Sequence, residues 1–244
     1  VTGAAGGPGF VGLLRLDTRF PRPAGDVGNP NTFAPPHGAD VPVRTRVVAG
    51  ATAGRAVHGD ARELLRGFTA AGRALAADGA VAITTSCGFL AVLQRELACA
   101  LPVPFAASPL LQVGWLAPTM APGRRVGVLT IDADALGPAH LAGAGAPADT
   151  PVEGVPRDGA LAAAVFGDAP RLDRERAQAE VVAAGRRLAR RVPELGAIVL
   201  ECTNLPPYRA ALMRAVPVPV FDCNSLIRWL WLGAARPPAA EEIR

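Results

Sequence analysis

The chain has 244 residues, half of them hydrophobic, and a net charge of +4 carried by arginine alone, since it contains no lysine. That length and apolar content imply a globular fold with a sizeable core and exclude a disordered chain. No apolar stretch approaches the ~20 residues of a spanning helix, so no membrane partner is expected, and scattered arginines without interleaved aromatics argue against a nucleic-acid surface.

Residues 1–9 are small, Gly-rich and uncharged, and without the basic and apolar regions of a signal peptide they read as a flexible leader. Phe10 to Leu16 reads as a buried strand ending at Asp17-Thr18. The loop from Arg19 to Thr32 is too rich in Pro, Gly, Asp and Asn for regular structure and suits closure over a polar ligand, with Asp17 and Asn29 as candidate contacts. Val41 to Ala49 alternates as a second strand, with Arg44 and Arg46 on one face. Asp60 can cap a helix to Ala77, striped by Leu64, Leu65, Phe68 and Leu75.

Ala80 to Ile83 is the next buried strand, and Thr84-Thr85-Ser86-Cys87-Gly88 is its exit. Leu90, Leu93 and Leu97 then recur at helical spacing, which places Cys87 where free backbone N–H groups favour a thiolate. A short strand at Pro102-Val103-Pro104-Phe105 and a helix near Leu110 to Leu116 follow. Arg125 to Ile131 is another buried strand, ending at Asp132, and the Gly/Ala/Pro-rich stretch 134–154 has no assignable periodicity. Asp173 opens a long helix to about Arg191, whose double arginines form a solvated face. Ala197 to Leu200 is a strand with Glu201-Cys202-Thr203-Asn204-Leu205-Pro206-Pro207 as its exit. A helix through Leu212, a strand Val218 to Phe221 and a helix Ser225 to Leu232 complete the chain, with Trp229 and Trp231 as packing anchors.

The order of elements repeats. Cys87 and Cys202 stand 115 positions apart, and the same offset carries Val11-Gly12 onto Val126-Gly127, Asp17 onto Asp132, Ala82-Ile83 onto Ala197-Ile198, and Pro102-Val103-Pro104 onto Pro217-Val218-Pro219. Alternating strands and helices imply parallel sheets, so the expected fold is α/β with two pseudo-symmetric doubly wound lobes. Open sheets of this kind bind ligands beyond the carboxyl ends of their strands, which places the active site in the cleft between the lobes. Cys87 and Cys202 would meet a bound molecule there from opposite sides. Cys99 reads as core or inert and Cys223 as core or cleft lining.

Two thiols flanking one carbon suit proton transfer: one, as thiolate, removes a proton next to a carboxylate and the other delivers one to the opposite face. Thr85, Ser86, Gly88, Phe89, Thr203 and Asn204 surround the pair and are candidate substrate contacts. The four cysteines form no CxxC pair and the three histidines no HxxxH pair, so no metal site is expected. With no lysine for a Schiff base and no dinucleotide fingerprint, no cofactor is expected either. Reduced thiols in a chain of this size point to the cytoplasm.

The motifs Thr84-Thr85-Ser86-Cys87-Gly88 and Glu201-Cys202-Thr203-Asn204-Leu205-Pro206, with the Gly12-to-Asp17 strand and Val218-Pro219-Val220-Phe221-Asp222, resemble those of the aspartate/glutamate/hydantoin racemase superfamily. The resemblance spans roughly Phe10 to Leu232. It implies a first lobe of residues 1–101 plus 216–244, whose last strand and helix return to it, and a second lobe of 102–215. It also implies Cys87 and Cys202 as a cofactor-independent acid/base pair. Gly88-Phe89 stands where the amino-acid racemases usually carry Asn-Thr, and Asn204 where glutamate racemases often carry His. The expected activity is racemisation or epimerisation of a small carboxylate, most plausibly an amino acid such as aspartate or glutamate. The alternatives are a cis–trans isomerase or decarboxylase of a dicarboxylic acid, or a non-catalytic small-acid binder. Arg19, Arg22, Arg44 and Arg46 are candidates for the carboxylate-binding cation, and a homodimer is compatible with the sequence.

Overall fold

The computed structural model describes residues 9–34 and 41–235, so the leader expected at 1–9 lies, up to residue 8, outside the described residues. The first sheet contains β1 (Phe10–Leu16), β2 (Val43–Val48), β3 (Ala80–Thr85) and β4 (Phe105–Ala106), in the order β2-β1-β3-β4. The second contains β5 (Arg125–Thr130), β6 (Val152–Gly154), β7 (Leu195–Leu200) and β8 (Val220–Phe221), in the order β6-β5-β7-β8. All six pairings are parallel. Strands buried on both faces need continuous apolar sequence, which is why β1, β3, β5 and β7 are readable as runs of Val, Leu, Ile and Ala.

The helices are α1 (Ala53–His58), α2 (Leu65–Ala77), α3 (Gln94–Ala100), α4 (Leu111–Leu116), α5 (Pro138–Gly143), α6 (Ala160–Phe166), α7 (Arg174–Arg191), α8 (Arg209–Ala215) and α9 (Cys223–Ala234). Asp60 accepts from the Arg62 N–H and caps a 3-10 turn, Ala61–Leu64, that leads into α2. Asp173 accepts from the Arg176 N–H and caps α7. A side-chain oxygen in each case satisfies a donor that the helix cannot.

The 115-residue offset is structural. It carries β3 onto β7, β4 onto β8 and α3 onto α8 residue for residue. It also carries the register break at Phe10/Val11 onto that at Arg125/Val126. β1 and β5 each need a glycine: a Cβ at Gly12 would crowd Leu75 of α2 at 3.0 Å, and one at Gly127 would crowd Leu188 of α7 at 2.8 Å. Both helices lie directly over their strands there, and a methyl group would have to push them outward.

The repeat fails where the lobes differ in chemistry. β2 has six residues and β6 three, and the long loop after β1 has no counterpart after β5. The lobe limits need a correction at both crossovers. β4 hydrogen-bonds to β3 and so extends the first sheet, whereas residues 105–106 were expected in the second lobe. β8 pairs with β7 and extends the second sheet, so of the last strand and helix only α9 returns to the first lobe, against β1 and β3. Trp231 is partly buried against the cluster of Val11, Leu13 and Ile227, as an anchor should be. Trp229 instead is 54% exposed, with its ring 4.7 Å from that of Trp115. Among the described residues no helix is long and apolar enough to cross a membrane.

Candidate functional site

The two lobes bring their strand exits together. Ser86 N–H donates to the Leu14 carbonyl (2.9 Å) and Glu201 N–H to the Leu129 carbonyl (2.8 Å), so both chains leave their sheets with the same geometry. Thr203 Oγ1 then donates to the Ser86 carbonyl across the lobes at 2.7 Å. That bond ties the exit of β7 directly to the exit of β3. Cys87 and Cys202, each one residue beyond these bonds, line one cleft and are 7% and 6% exposed.

The cleft is lined by Ser86, Cys87, Gly88 and Phe89 from the first exit and by Glu201, Cys202, Thr203 and Asn204 from the second. Apolar side chains close it: Leu16, Phe20, Ala53, Val57, Ile131 and Val165. Only about 20 Å³ remains free inside, room for a water or so. A small acid therefore needs more room than the cleft holds in this conformation. Helices α1 and α6 meet over the cleft, with the His58 ring 4.7 Å from that of Phe166 and His58 Nε2 3.0 Å from Asp132 Oδ2.

Burial dominates the thiols. The Phe89 and Leu90 N–H groups favour the Cys87 thiolate, and the Asn204 N–H that of Cys202, as expected where a strand turns into a helix. Desolvation nevertheless outweighs them. It pushes Cys87 up to about 12, aided by the nearby Glu201. Cys202 is raised well above the usual thiol range by burial, then by Glu201, and further by Cys87 and Asp26. The resting site thus holds two protonated thiols rather than the thiolate anticipated from the N–H groups. Cys87 is the better placed to ionise, with two N–H groups and the Arg22 charge in its favour, where Cys202 has one N–H group and faces Asp26. As a thiol, Cys202 donates to Asn204 Oδ1 at 3.6 Å.

Of the residues singled out in the sequence, Ser86, Gly88, Phe89, Thr203 and Asn204 join the cysteines in the cleft. Thr85 lies behind them, its hydroxyl donating to the Ala107 carbonyl (2.7 Å) and accepting from the Cys87 N–H (3.2 Å). Asp17 does not reach the cleft; it is exposed and accepts from the Gly50 N–H at 3.0 Å, fixing the turn after β2. Asn29 is likewise spent on its own loop, donating to the Arg22 carbonyl and accepting from the Asn31 N–H. Cys99 is exposed rather than core, and Cys223 is buried at the start of α9 in a core cluster, near enough to Cys202 to feel its charge but not lining the cleft.

Among the arginines, Arg22 is the one that lines the cleft. It pairs with Asp26 at 2.8 Å, with side chains 8% and 1% exposed, and donates to Thr18 Oγ1 at 2.8 Å. Asp26 in turn accepts from the Asn204 amide at 2.7 Å, so the long loop is strapped to the second cysteine motif. Arg19 is held by Asp168, Arg46 by Asp78, and Arg44 lies over the Phe10 ring, all away from the cleft.

Glu201 was not singled out, and it changes the site. It is fully buried beside both cysteines, and Thr130 Oγ1 donates to its Oε2 at 2.6 Å. Burial pushes its carboxyl up to about 8, against the opposing hydrogen bond from Thr130. The available signal was a carboxylate at the end of an apolar strand, at the position the repeat equates with Ser86. Among the described residues no cluster of three or more His, Cys, Asp or Glu could hold a metal ion.

No protein-family model matches the chain. It is 31% identical to dimethylsulfoniopropionate lyase 5 of Emiliania huxleyi (strain CCMP1516) over 94% of its own length and 46% of that protein's. It is 28% identical to dimethylsulfoniopropionate lyase of Durusdinium sp. clade D, over 87% of the chain and 70% of that protein. The chain thus spans about half the length of the first relative and more of the second. Among solved structures, arylmalonate decarboxylase matches with a TM-score of 0.56 at 19% identity, covering 94% of this chain and 96% of that one. The Picrophilus torridus aspartate racemase matches with a TM-score of 0.55 at 15% identity, covering 96% and 97%. The fold of this chain is therefore the two-lobed α/β fold that these solved structures share.

Proposed function

On that fold, we propose that the chain is a lyase that takes a proton from the carbon next to a carboxylate and expels a β-substituent, acting on dimethylsulfoniopropionate or a closely similar β-onium acid. The observation that carries this reading is the likeness to a dimethylsulfoniopropionate lyase over 94% of the chain, a span that includes both cysteine motifs and the cleft between them. Bond cleavage, one of the alternatives to inversion, thereby becomes the leading reading.

The chemistry balances with one base. Cys87, as thiolate, takes the α-proton and becomes a thiol. The C–H electron pair becomes the Cα–Cβ double bond of acrylate, and the C–S pair leaves with sulfur as neutral dimethyl sulfide. Negative charge that builds on the carboxylate side is met by Arg22 and by the N–H groups at the two strand exits. A substrate with a fixed positive charge also suits a cleft that resists anions. The Cys87 thiolate forms transiently, its proton passing to solvent, favoured by the Phe89 and Leu90 N–H groups and the Arg22 charge. Elimination needs no proton delivered to the α-carbon, so Cys202, a thiol bonded to Asn204, serves to position substrate.

One observation favours a second reading, inversion at the α-carbon: both thiols are retained and face the same cleft. The two are separated by incubating the purified chain with dimethylsulfoniopropionate, following dimethyl sulfide by headspace gas chromatography and acrylate by NMR. Matched release of both products is expected. A preparation that releases neither, yet introduces deuterium from solvent into the α-carbon of aspartate or glutamate, overturns the lyase reading in favour of inversion.

A further inference from the structure

Four buried side-chain polar atoms among the described residues have no hydrogen-bond partner: Arg15 Nε, Arg22 Nε, Glu201 Oε1 and Tyr208 Oη. Two of their residues line the cleft, and those two are opposite in character. Arg22 Nε is a donor on a cation and Glu201 Oε1 an acceptor on an acid. An unpaired buried polar atom is unfavourable, so such atoms are uncommon in folded proteins and call for a partner. An unpartnered donor and an unpartnered acceptor on two residues that line one cleft are complementary to a ligand that carries both charges, one that reaches Oε1 beside the Gly88 backbone packed against it. We propose that Glu201 is the counter-ion for the cationic end of a small zwitterion whose carboxylate is taken by Arg22, and that binding this cation drives a proton off Glu201. The inference rests on the lyase reading for the choice of a methylated onium as the cation.

The surroundings favour an onium over an ammonium. A primary ammonium brings three N–H donors that each need an acceptor, and the apolar side of the cleft, Leu16, Phe20, Ala53, Val57, Ile131 and Val165, offers none; the polar side chains Ser86, Thr203 and Asn204 stand at the strand exits. Methyl groups on a sulfonium or quaternary nitrogen need only apolar and aromatic contact, with one negative charge nearby. The position of Glu201 is enforced by Gly88, where a Cβ would overlap both its Oε1 and its carbonyl oxygen.

The proton accounting follows from the same geometry. Thr130 Oγ1 occupies Oε2, so Oε1, the oxygen without a partner, is where the carboxyl proton is placed in the resting cleft. A cation arriving there favours the carboxylate and expels the proton to solvent. The charged or titratable groups around Glu201 are Cys87 and Cys202, both held protonated, and the Arg22–Asp26 pair, with His140 behind Phe89 and the His58–Asp132 pair further out. None of these gains a direct cationic contact in the proposed pose.

The test uses two ligands that are not turned over by C–S cleavage: trimethylammonium propionate, and its carbon isostere with a tert-butyl group in place of the trimethylammonium. Calorimetry in buffers of different ionisation enthalpy gives affinity and proton release together. The wild-type chain should bind the onium at least about tenfold more tightly than the isostere. It should release close to one proton well below the Glu201 titration near pH 8, and progressively less above it. Glu201→Gln should bind both ligands alike and release no proton. Equal affinity of the wild type for the two ligands, or no proton release by the wild type, overturns the inference, and neither arm depends on the variant folding. A chain that liberates dimethyl sulfide yet binds both ligands alike keeps the lyase reading and loses this one. A chain that prefers the onium through Glu201 but cleaves nothing keeps this inference and loses the lyase reading.

Discussion

Gly88 of the first strand exit packs its α-carbon directly against Glu201 of the second, with Glu201 Oε1 and carbonyl oxygen filling the space that a side chain at position 88 would need. The acid beside the cysteines and the glycine opposite it are one device. Glycine stands there because a carboxyl occupies its side-chain position from the other lobe, and the carboxyl is held because only backbone faces it. Gly88→Ala should destabilise the protein by roughly 1–3 kcal/mol through overpacking. Glu201→Ala made on top of it should recover part of that loss, giving a coupling of about 1 kcal/mol or more in a double-mutant cycle followed by urea unfolding. Strict additivity would mean that the two residues do not share the space.

The two cysteines should not be equivalent if the reaction is elimination. Cys87→Ser removes the base and should lower dimethyl sulfide release by roughly 10²–10⁴-fold. Cys202→Ser should lower it far less, with the loss weighted towards KM. Equal and complete loss in both variants, with unchanged melting temperatures, would point instead to a chemistry that needs both thiols.

The pH behaviour of Glu201 has a definite sign. Its carboxyl is raised in the folded chain from its ordinary value of 4.5 to about 8, so the folded state holds a proton that the unfolded state gives up in between. Stability from this group is fully present below about pH 4.5 and is lost as pH rises through about 8. Glu201→Gln should remove that slope, so that the melting temperatures of wild type and variant diverge in the variant's favour as pH rises across this window. Above about pH 8 the ionised Glu201 also opposes both thiolates, and the variant should therefore alkylate faster at Cys87 and Cys202. Mass spectrometry separates those sites from the exposed Cys99.

The strap between the long loop and the second exit depends on Asp26, which accepts from both Arg22 and Asn204. Asp26→Asn leaves the Arg22 guanidinium, 8% exposed, without its charge partner. Breaking a buried pair from one side should cost about 3–5 kcal/mol of stability, measurable by denaturant unfolding. Arg19→Ala, at an exposed contact to Asp168, should change stability by less than about 1 kcal/mol.

Much of the framework was legible because it is local. Buried parallel strands must be apolar throughout, so β1, β3, β5 and β7 declare themselves as short runs, and Asp60 and Asp173 announce helices because a cap satisfies donors within three residues of itself. The two short helices over the cleft, α1 and α6, were missed, since six or seven residues rich in Ala and Gly carry too little periodicity to register. The limits drawn at residues 102 and 216 fell just before β4 and β8, because two-residue strands acquire their sheet only through hydrogen bonds to β3 and β7.

The sequence by itself determined the two-lobed architecture and the matched pair of cysteines, because a duplicated order of strands with one offset survives as a one-dimensional pattern. Only the tertiary structure decided which charges belong to the site. Asp17 was drawn off to the Gly50 N–H in the turn after β2 and Asn29 to its own loop, while Arg22 and Glu201 were delivered to the cleft. It also decided the protonation of the cysteines, since desolvation depends on how completely the opposite lobe covers them, and no spacing along the chain encodes that.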